Sequence, residues 1–217
     1  MPLAVLFRDS SLAVVDKPAG LAVDDDVVPL AARELAPPGS RAWPRVVHRL
    51  DRGTSGCLVL ALTQAASQGL SRALDQGQWE KAYLAVVQGD PPDSEALDTP
   101  YGPDPRDRRR FTGRIRTPRR ARLSYAVLRR LAGACLLRVQ LGTGRTHQIR
   151  VQLSEAVFPV LGDEVYGTRH AAIERPALHA ERLAFPHPLG GQRVECTAAL
   201  PEDFSRLLAD LGCKSGR

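Results

Sequence analysis

The sequence predicts an α+β fold with a mixed, mostly antiparallel sheet and flanking helices. Six short β-rich or continuously apolar runs outnumber four segments with helical spacing, and the two kinds of segment do not alternate strictly along the chain. A chain of 217 residues can bury a core of its own without disulfides or structural metals. We therefore expect residues 1–217 to form a single domain.

The first half of the chain predicts two strands and two helices. Residues 12–16 (LAVVD) form a β-rich run that a Lys-Pro pair ends, and residues 29–36 form a weak helix. Residues 57–62 (CLVLAL) are continuously apolar, which indicates a buried strand. Apolar residues at helical spacing over residues 64–76 predict a helix against the sheet.

The second half predicts four strands and two helices. Residues 81–89 form a strand that ends at a glycine, and residues 123–131 and 135–141 form a hairpin joined by Ala-Gly. Apolar residues at i, i+4 and i+8 predict a helix over residues 146–155. The last elements are a strand at residues 193–199 and a helix at residues 204–211.

The cysteines and the N-terminus indicate a cytoplasmic protein. The four cysteines, Cys57, Cys135, Cys196 and Cys213, form neither a CxxC motif nor a Cys/His cluster. We expect a reducing compartment, core thiols at Cys57 and Cys135, and no metal ion. The N-terminus lacks a secretory signal, and no apolar run approaches the roughly 20 residues that span a membrane.

The positive charge of the chain is concentrated in one segment. The net charge is +6, and residues 106–122 (RDRRRFTGRIRTPRRAR) contain nine arginines and one acidic residue. Guanidinium groups bind phosphate bidentately, whereas charge runs more commonly form solvated loops. We expect both properties: a non-helical loop, mobile when free, that closes on a phosphate backbone through Arg108, Arg109 and Arg110.

The string HRLDRGTSG at residues 48–56 is the strongest candidate for a catalytic motif. It places Asp51 between Arg49 and Arg52, on a glycine-containing turn directly before the apolar run at residues 57–62. Such a turn presents the carboxylate rigidly, and a flanking arginine keeps it ionised. A lone aspartate in this position is more commonly a turn cap, so the length of the string decides the interpretation.

Two further strings contain candidate site residues. GTGRTHQIR at residues 142–150 places two glycines before a predicted helix whose first turn contains Arg145, His147 and Gln148, as in an anion site. We expect His147 to position backbone or substrate rather than to act as a general base. Tyr83 lies in the strand KAYLAVVQG, where an aromatic residue alone would most simply be part of the packed sheet.

Taken together, these strings resemble the RluA-type pseudouridine synthases over about residues 15–204, nearly the whole chain. HRLDRGTSG resembles the family's signature, which implies that Asp51 is the essential catalytic residue. The resemblance further implies that Tyr83 stacks on the target uracil, that Arg150 forms an ion pair with Asp51, and that Arg49 fills the space left by the flipped base. The predicted RNA-binding side chains are His48, Arg49, Arg145, His147, Gln148, Arg108, Arg109 and Arg110.

The sequence departs from the family's pattern in two places, and two further matching strings have no predicted catalytic role. We expect no N-terminal S4-type RNA-binding module, which many relatives carry, so the catalytic domain would bind RNA alone. Gln152 stands where a histidine often follows the HQIR arginine. PVLGDEVYG at residues 159–167 and LHA at residues 178–180 match strings expected in the family and are interpreted as structural, since the adjacent Asp163 and Glu164 lack partners at metal-ligand spacing.

The implied reaction needs no cofactor, because uridine and pseudouridine are isomers. The sequence leaves open whether Asp51 attacks the anomeric carbon, adds to the base or abstracts a ribose proton. We expect a monomer that acts on ribosomal large-subunit or transfer RNA. The alternative is a non-catalytic RNA-binding or ribosome-assembly factor on the same fold. A hydrolase is disfavoured, because it would need a second catalytic carboxylate or metal ligands.

Overall fold

The computed structural model describes residues 2–35 and 44–212, which form twelve strands and four α-helices. The strands are β1 (Ala4–Arg8), β2 (Leu12–Lys17), β3 (Arg45–Val46), β4 (Ser55–Ala61), β5 (Glu80–Gln88), β6 (Ser94–Pro100), β7 (Gly102–Pro103), β8 (Phe111–Thr112), β9 (Arg120–Leu131), β10 (Ala134–Leu141), β11 (Leu178–Pro186) and β12 (Arg193–Thr197). The helices are α1 (Val28–Leu35), α2 (Gln64–Asp75), α3 (Gln148–Glu155) and α4 (Glu202–Gly212). A π-helical turn, Val23–Val27, precedes α1.

The chain forms two structural units. The first comprises residues 1–81 and 180–199, and the second comprises residues 82–179 and 200–217. In both units the strands pair antiparallel along the described ladders. This confirms the predicted α+β class with a mostly antiparallel sheet, while the single catalytic domain over residues 1–217 stays a prediction.

In the first unit the strand order is β1-β2-β4-β11, with β12 paired to β11 and β3 paired to β4. All seven residues of β4 are buried, as expected for a continuously apolar run. Thr63 caps α2 by accepting a hydrogen bond from the N–H of Ala66 at 3.1 Å. The apolar face of α2 packs on β2 and β4, and this core fixes the start of β4, where the HRLDRGTSG turn ends.

In the second unit the strand order is β5-β10-β9-β6. The predicted Ala-Gly hairpin joins β9 and β10, with Gly133 at a φ of +68°. Ala121 of β9 packs against Val151 of α3 in a cluster that also contains Tyr101 and Tyr166, with Phe111 against it. This packing places the N-terminal end of α3 beside the segment that contains the arginines.

All ten elements predicted from the sequence are present, with shifted ends. β9 begins at Arg120 rather than at residue 123 because it pairs with β6 as far as Pro100. α3 begins at Gln148 rather than at residue 146, because His147 adopts a left-handed conformation with a φ of 57°. Only Gln148 of the three predicted first-turn residues is therefore helical. Ala36 and Cys213 lie outside the described residues, and Cys57, Cys135 and Cys196 are buried thiols.

The remaining strands carry little signal in the sequence. β6 is a polar and largely exposed strand, and β3, β7 and β8 have two residues each. β11 contains Glu181 and Arg182, and Arg182 forms ion pairs with Glu80 and Glu195. Tertiary pairing, not hydrophobic alternation, makes these segments strands.

Candidate active site

Asp51 begins a tight turn between β3 and β4 in the first unit. The N–H of Thr54 donates to the carbonyl oxygen of Asp51 at 3.0 Å, and Thr54 and Ser55 are buried. Gly56 has a φ of +112°, and a Cβ atom there would collide with the backbone of Ala180 in β11. The backbone on the C-terminal side of Asp51 is therefore held rigidly, as the sequence predicted.

The side chain of Lys17 holds this turn in place through hydrogen bonds to backbone carbonyl groups. Its side chain is fully buried, and Nζ donates to the carbonyl oxygens of Pro18 at 2.9 Å, Leu21 at 2.8 Å and Arg52 at 3.2 Å. The N–H of Gly20 also donates to the carbonyl oxygen of Arg52, at 2.8 Å. Burying an ammonium group is costly unless its donors are satisfied, so these three bonds fix residues 17–21 against the residue after Asp51.

The two arginines that flank Asp51 extend to the surface. Arg49 Nη1 lies 3.3 Å from a carboxylate oxygen of Asp24, and both side chains are more than half exposed. Arg52 Nη1 donates to the carbonyl oxygen of Gly20 at 3.2 Å and lies 3.8 Å from Asp26. Exposed ion pairs contribute at most about 1 kcal/mol, so Arg49 can exchange Asp24 for a phosphate. Its insertion into RNA stays a prediction.

His48 is engaged inside the first unit. The N–H of Val59 donates to Nε2 of His48 at 3.1 Å, and the imidazole lies edge-on to Trp79 with ring centroids 5.2 Å apart. Burial lowers the pKa of His48 to about 3, and the charge of Lys81 adds to this shift. His48 is therefore neutral at physiological pH and joins the turn to β4, and its predicted contact with RNA stays a prediction.

Tyr83 lies on β5 in the second unit, opposite Val139 of β10. Its side chain is buried, with 7% of the residue exposed. This is compatible with the simplest interpretation of an aromatic residue in a strand, as a packed part of the sheet. Stacking of Tyr83 on a uracil stays a prediction.

Arg150 forms a buried two-point ion pair with Asp163. Nε and Nη2 of Arg150 donate to the two carboxylate oxygens at 2.7 and 2.8 Å, and the side chains are 8% and 0% exposed. Burial alone raises the pKa of Asp163, but the hydrogen bonds and charge of Arg150 outweigh it, so the pKa lies below its usual range. The N–H groups of Val165 and Tyr166 also donate to Asp163, which fixes the carboxylate. The expected ion pair of Arg150 with Asp51 stays a prediction.

Gln148 uses its whole amide group within the protein. Its Oε1 accepts hydrogen bonds from Thr143 Oγ1 and the N–H of Arg145, and its Nε2 donates to Arg122 O and Gln152 Oε1. These four bonds use both donors and both acceptor positions of a carboxamide. Gln148 therefore positions the loop at residues 142–147, and Arg145 is exposed beside it. Contacts of Gln148 and Arg145 with RNA stay predictions.

His147 and Tyr166 connect the start of α3 to the arginine-rich segment. His147 Nδ1 lies 2.9 Å from the hydroxyl of Tyr166, which accepts a hydrogen bond from the N–H of Phe111 at 3.0 Å. Burial raises the pKa of Tyr166, so the hydroxyl keeps its hydrogen at neutral pH. The hydroxyl therefore connects the His147 ring to the backbone of Phe111.

The arginine-rich segment begins as a short hairpin, residues 102–112, which we call the arginine hairpin. β7 and β8 pair through Gly102–Thr112 and Pro103–Phe111, so part of the predicted loop is paired. Residues 106–122 contain no helix, as expected. At the base, Thr112 Oγ1 and the N–H of Gly113 donate to Glu155 of α3. Arg108, Arg109 and Arg110 are exposed at the tip, and Arg109 pairs with Asp107 at 3.2 Å.

The described residues contain neither a cluster of metal ligands nor a helix that could span a membrane. No group of three or more His, Cys, Asp or Glu side chains within residues 2–35 and 44–212 is arranged to hold a metal ion. Among the four described α-helices, none has the length and apolarity that a membrane span requires.

Comparison with known protein families decides the classification. The family model described as RNA pseudouridylate synthase matches residues 11–155, which include Asp51, Tyr83 and Arg150. The chain belongs to the RNA pseudouridylate synthase family. The resemblance seen in HRLDRGTSG and GTGRTHQIR is therefore confirmed.

Curated relatives match this chain over most of its length. It is 43% identical, over 80% of its own residues, to a protein of Chloroflexus aurantiacus named as an uncharacterized RNA pseudouridine synthase, and it spans 55% of that protein. It is 37% identical, over its full length, to ribosomal large subunit pseudouridine synthase D of Xanthomonas campestris, and it spans 72% of that relative.

Solved structures of the family share its fold. Human RNA pseudouridylate synthase domain containing 1 superposes with a TM-score of 0.81 at 27% identity, covering 92% of this chain and 84% of the human chain. Human RNA pseudouridylate synthase domain containing 4 gives a TM-score of 0.76 at 25% identity, covering 96% of this chain and 92% of that one.

Four side chains that hold the Asp51 turn, the arginine hairpin and Arg150 in place are absent from the site residues that the sequence predicts. They are Lys17, Glu155, Asp163 and Tyr166. Lys17 was interpreted only as the end of a strand, and Asp163 and Tyr166 lie in a string interpreted as structural. The lysine that follows the apolar residues of LAVVDKP is the signal that could have pointed to a buried ammonium group.

Proposed function

We propose that this chain isomerises uridine to pseudouridine in RNA, with Asp51 as the catalytic residue. The observation that carries the proposal is the anchoring of the Asp51 turn, in which a fully buried Lys17 donates to three carbonyl oxygens, one of them that of Arg52. A partly exposed carboxylate on a turn fixed in this way suits a group that must act at a reacting nucleotide. Tyr83 and Arg150 are proposed as its partners, with Tyr83 stacking on the uracil and Arg150 orienting the Asp51 carboxylate through an ion pair.

The proposed substrate is large-subunit ribosomal RNA, with transfer RNA as the second candidate. The name of the Xanthomonas relative supports ribosomal RNA. The exposed arginines of the arginine hairpin and Arg49 are proposed to hold phosphates. RNA binding should therefore weaken steeply as salt is raised, because phosphate contacts release counterions.

We further propose that the enzyme works as a cytoplasmic monomer without metal or cofactor. Substrate and product are isomers, so the reaction has no net redox or group-transfer demand. Ribosomal RNA substrates of the proposed kind are made and assembled in the bacterial cytoplasm.

The test is tritium release from RNA that carries tritium at carbon five of uridine. The substrates are unmodified ribosomal and transfer RNA, and Asp51→Asn is assayed beside the wild type. Release by the wild type and none by Asp51→Asn, with RNA binding kept, is the expected result. If neither protein releases tritium but both bind RNA tightly, the chain is a non-catalytic RNA-binding factor and the proposal fails.

A further inference from the structure

Tyr166 contacts two arginines that belong to different parts of the second unit. The guanidinium carbons of Arg110 and Arg150 each lie 5.2 Å from the centroid of the Tyr166 ring. Arg110 belongs to the exposed tip of the arginine hairpin, whereas Arg150 is buried in the ion pair with Asp163. One aromatic ring therefore interacts with both a surface guanidinium group and a buried one through cation–π contacts.

The polar atoms of Tyr166 extend the same connection. Its hydroxyl accepts the N–H of Phe111, the residue after Arg110, and bonds to Nδ1 of His147, which precedes α3. Its backbone N–H donates at 3.1 Å to Asp163 Oδ1, the oxygen that also accepts Arg150 Nη2. Tyr166 therefore contacts both residues 110–111 of the arginine hairpin and the carboxylate that binds Arg150.

We propose that Tyr166 is a positioning residue that couples the arginine hairpin to Arg150, so that RNA held by the hairpin and the orientation of the Arg150 guanidinium are set together. The inference rests on the proposed function for its consequence in catalysis. Glu155 anchors the base of the hairpin through Thr112 and Gly113 independently of Tyr166. Loss of the Tyr166 hydroxyl therefore loosens residues 110–111 without detaching the hairpin.

The first test uses Tyr166→Phe, which keeps the ring and both guanidinium contacts but removes the two hydroxyl bonds. Tyr125→Phe is the matched control, since its hydroxyl bonds to Glu95 at 2.9 Å on the β6–β9 pair. Under single-turnover conditions with saturating enzyme, Tyr166→Phe should lower the rate about tenfold while changing RNA affinity less than about threefold. A rate equal to that of Tyr125→Phe overturns the proposal.

A double-mutant cycle separates coupling from independent damage. Arg110→Ala alone should lower the saturated rate, because it removes the contact of Arg110 with the Tyr166 ring. Arg110→Ala combined with Tyr166→Leu should be no slower than Tyr166→Leu alone, because the leucine already removes that ring contact. Multiplicative losses would show that the two residues act independently and would contradict the proposal.

An NMR experiment on a variant without catalytic activity tests the coupling separately from the proposed function. Ribosomal RNA fragments are added to the Asp51→Asn protein, and the Arg150 Nε–H signal is followed by NMR with and without Tyr166→Phe. RNA should shift and protect this signal only when Tyr166 is present. If the wild type releases no tritium but this dependence is seen, the proposed function fails and the coupling holds. If RNA shifts the signal equally in both proteins, the coupling fails.

Discussion

Asp163 holds Arg150 through two hydrogen bonds of 2.7 and 2.8 Å, with both side chains buried. The family resemblance predicts Asp51 as the partner of Arg150, and the structure shows that a second carboxylate fixes this guanidinium. An arginine with a buried, bidentate partner has few accessible rotamers, so Asp163 sets the direction in which the remaining N–H groups point.

Asp163→Asn should destabilise the protein by about 3–5 kcal/mol, because it leaves the Arg150 charge buried without its counter-charge. The measurement is the free energy of urea unfolding. Glu164→Gln is the control: the neighbouring carboxylate forms an exposed ion pair with Arg169, and its loss should cost less than about 1 kcal/mol. An equal loss of unfolding free energy in the two variants would mean that the buried pair stabilises the protein no more than the exposed pair does.

Lys17→Met should both destabilise the fold and slow the reaction. The substitution keeps an unbranched apolar stem but leaves the carbonyl groups of Pro18 and Leu21 without the ammonium donor, at about 2–4 kcal/mol in total. Displacement of the Asp51 turn should lower the single-turnover rate at least about tenfold. The check is urea unfolding together with tritium release at a temperature where the variant is folded. A stable variant with the wild-type rate would refute the anchoring role.

Gly56→Ala should be far more damaging than Gly77→Ala, although both glycines have positive φ. A Cβ at Gly56 meets the backbone of Ala180, which is unable to move without opening the sheet, whereas Gly77 faces open space. We expect about 1–2 kcal/mol for Gly77→Ala, from the left-handed backbone alone, and a larger loss for Gly56→Ala. Thermal unfolding of the two variants measures the difference, and similar melting temperatures would contradict it.

His48 should make the stability of the protein depend on pH. Its pKa is lowered to about 3 in the folded state, below the ordinary value of about 6.5, so the unfolded chain binds the proton more strongly. Stability should therefore fall as the pH drops from about 6.5 toward 3, by up to about 1.4 kcal/mol per pH unit.

The matched variant is His48→Gln, which keeps an acceptor for the N–H of Val59 without titrating in this range. Unfolding free energies of the two proteins are compared between pH 6.5 and 4.5, and the carboxylates that titrate near the lower limit are common to both proteins and cancel in the difference. As the pH falls, the free energy of unfolding of the variant should increase relative to that of the wild type. Parallel curves would show that burial of His48 does not perturb its titration.

The arginine hairpin should account for part of the salt dependence of RNA binding. Arg108→Ala should reduce the slope of log affinity against log salt by about 0.7–0.9, the value for one phosphate contact. Arg109→Ala should reduce it less, because Asp107 already pairs with that guanidinium. Fluorescence anisotropy titrations measure the slopes, with Arg206→Ala on α4 as the charge-matched control. An unchanged slope for Arg108→Ala would show that the hairpin is not part of the RNA-binding surface.

The amino-acid sequence alone determined the fold class, the ten strongest elements, the family, and Asp51, Tyr83 and Arg150 as the candidate catalytic residues. These follow from short-range patterns: apolar runs, helical spacing, and contiguous strings such as HRLDRGTSG. Such patterns can be recognised in the sequence because the periodicity of a strand or helix, and the residues of a turn, involve only a few neighbouring positions.

Only the tertiary structure decided what holds those residues in place. Lys17 meets Arg52 across 35 positions of the sequence, and Thr112 meets Glu155 across 43. Pairings at this separation depend on how strands and loops pack, and no local pattern encodes them. The same reason explains why His147 takes a left-handed conformation where the spacing predicted helix: its side chain is held by Tyr166, 19 positions further on.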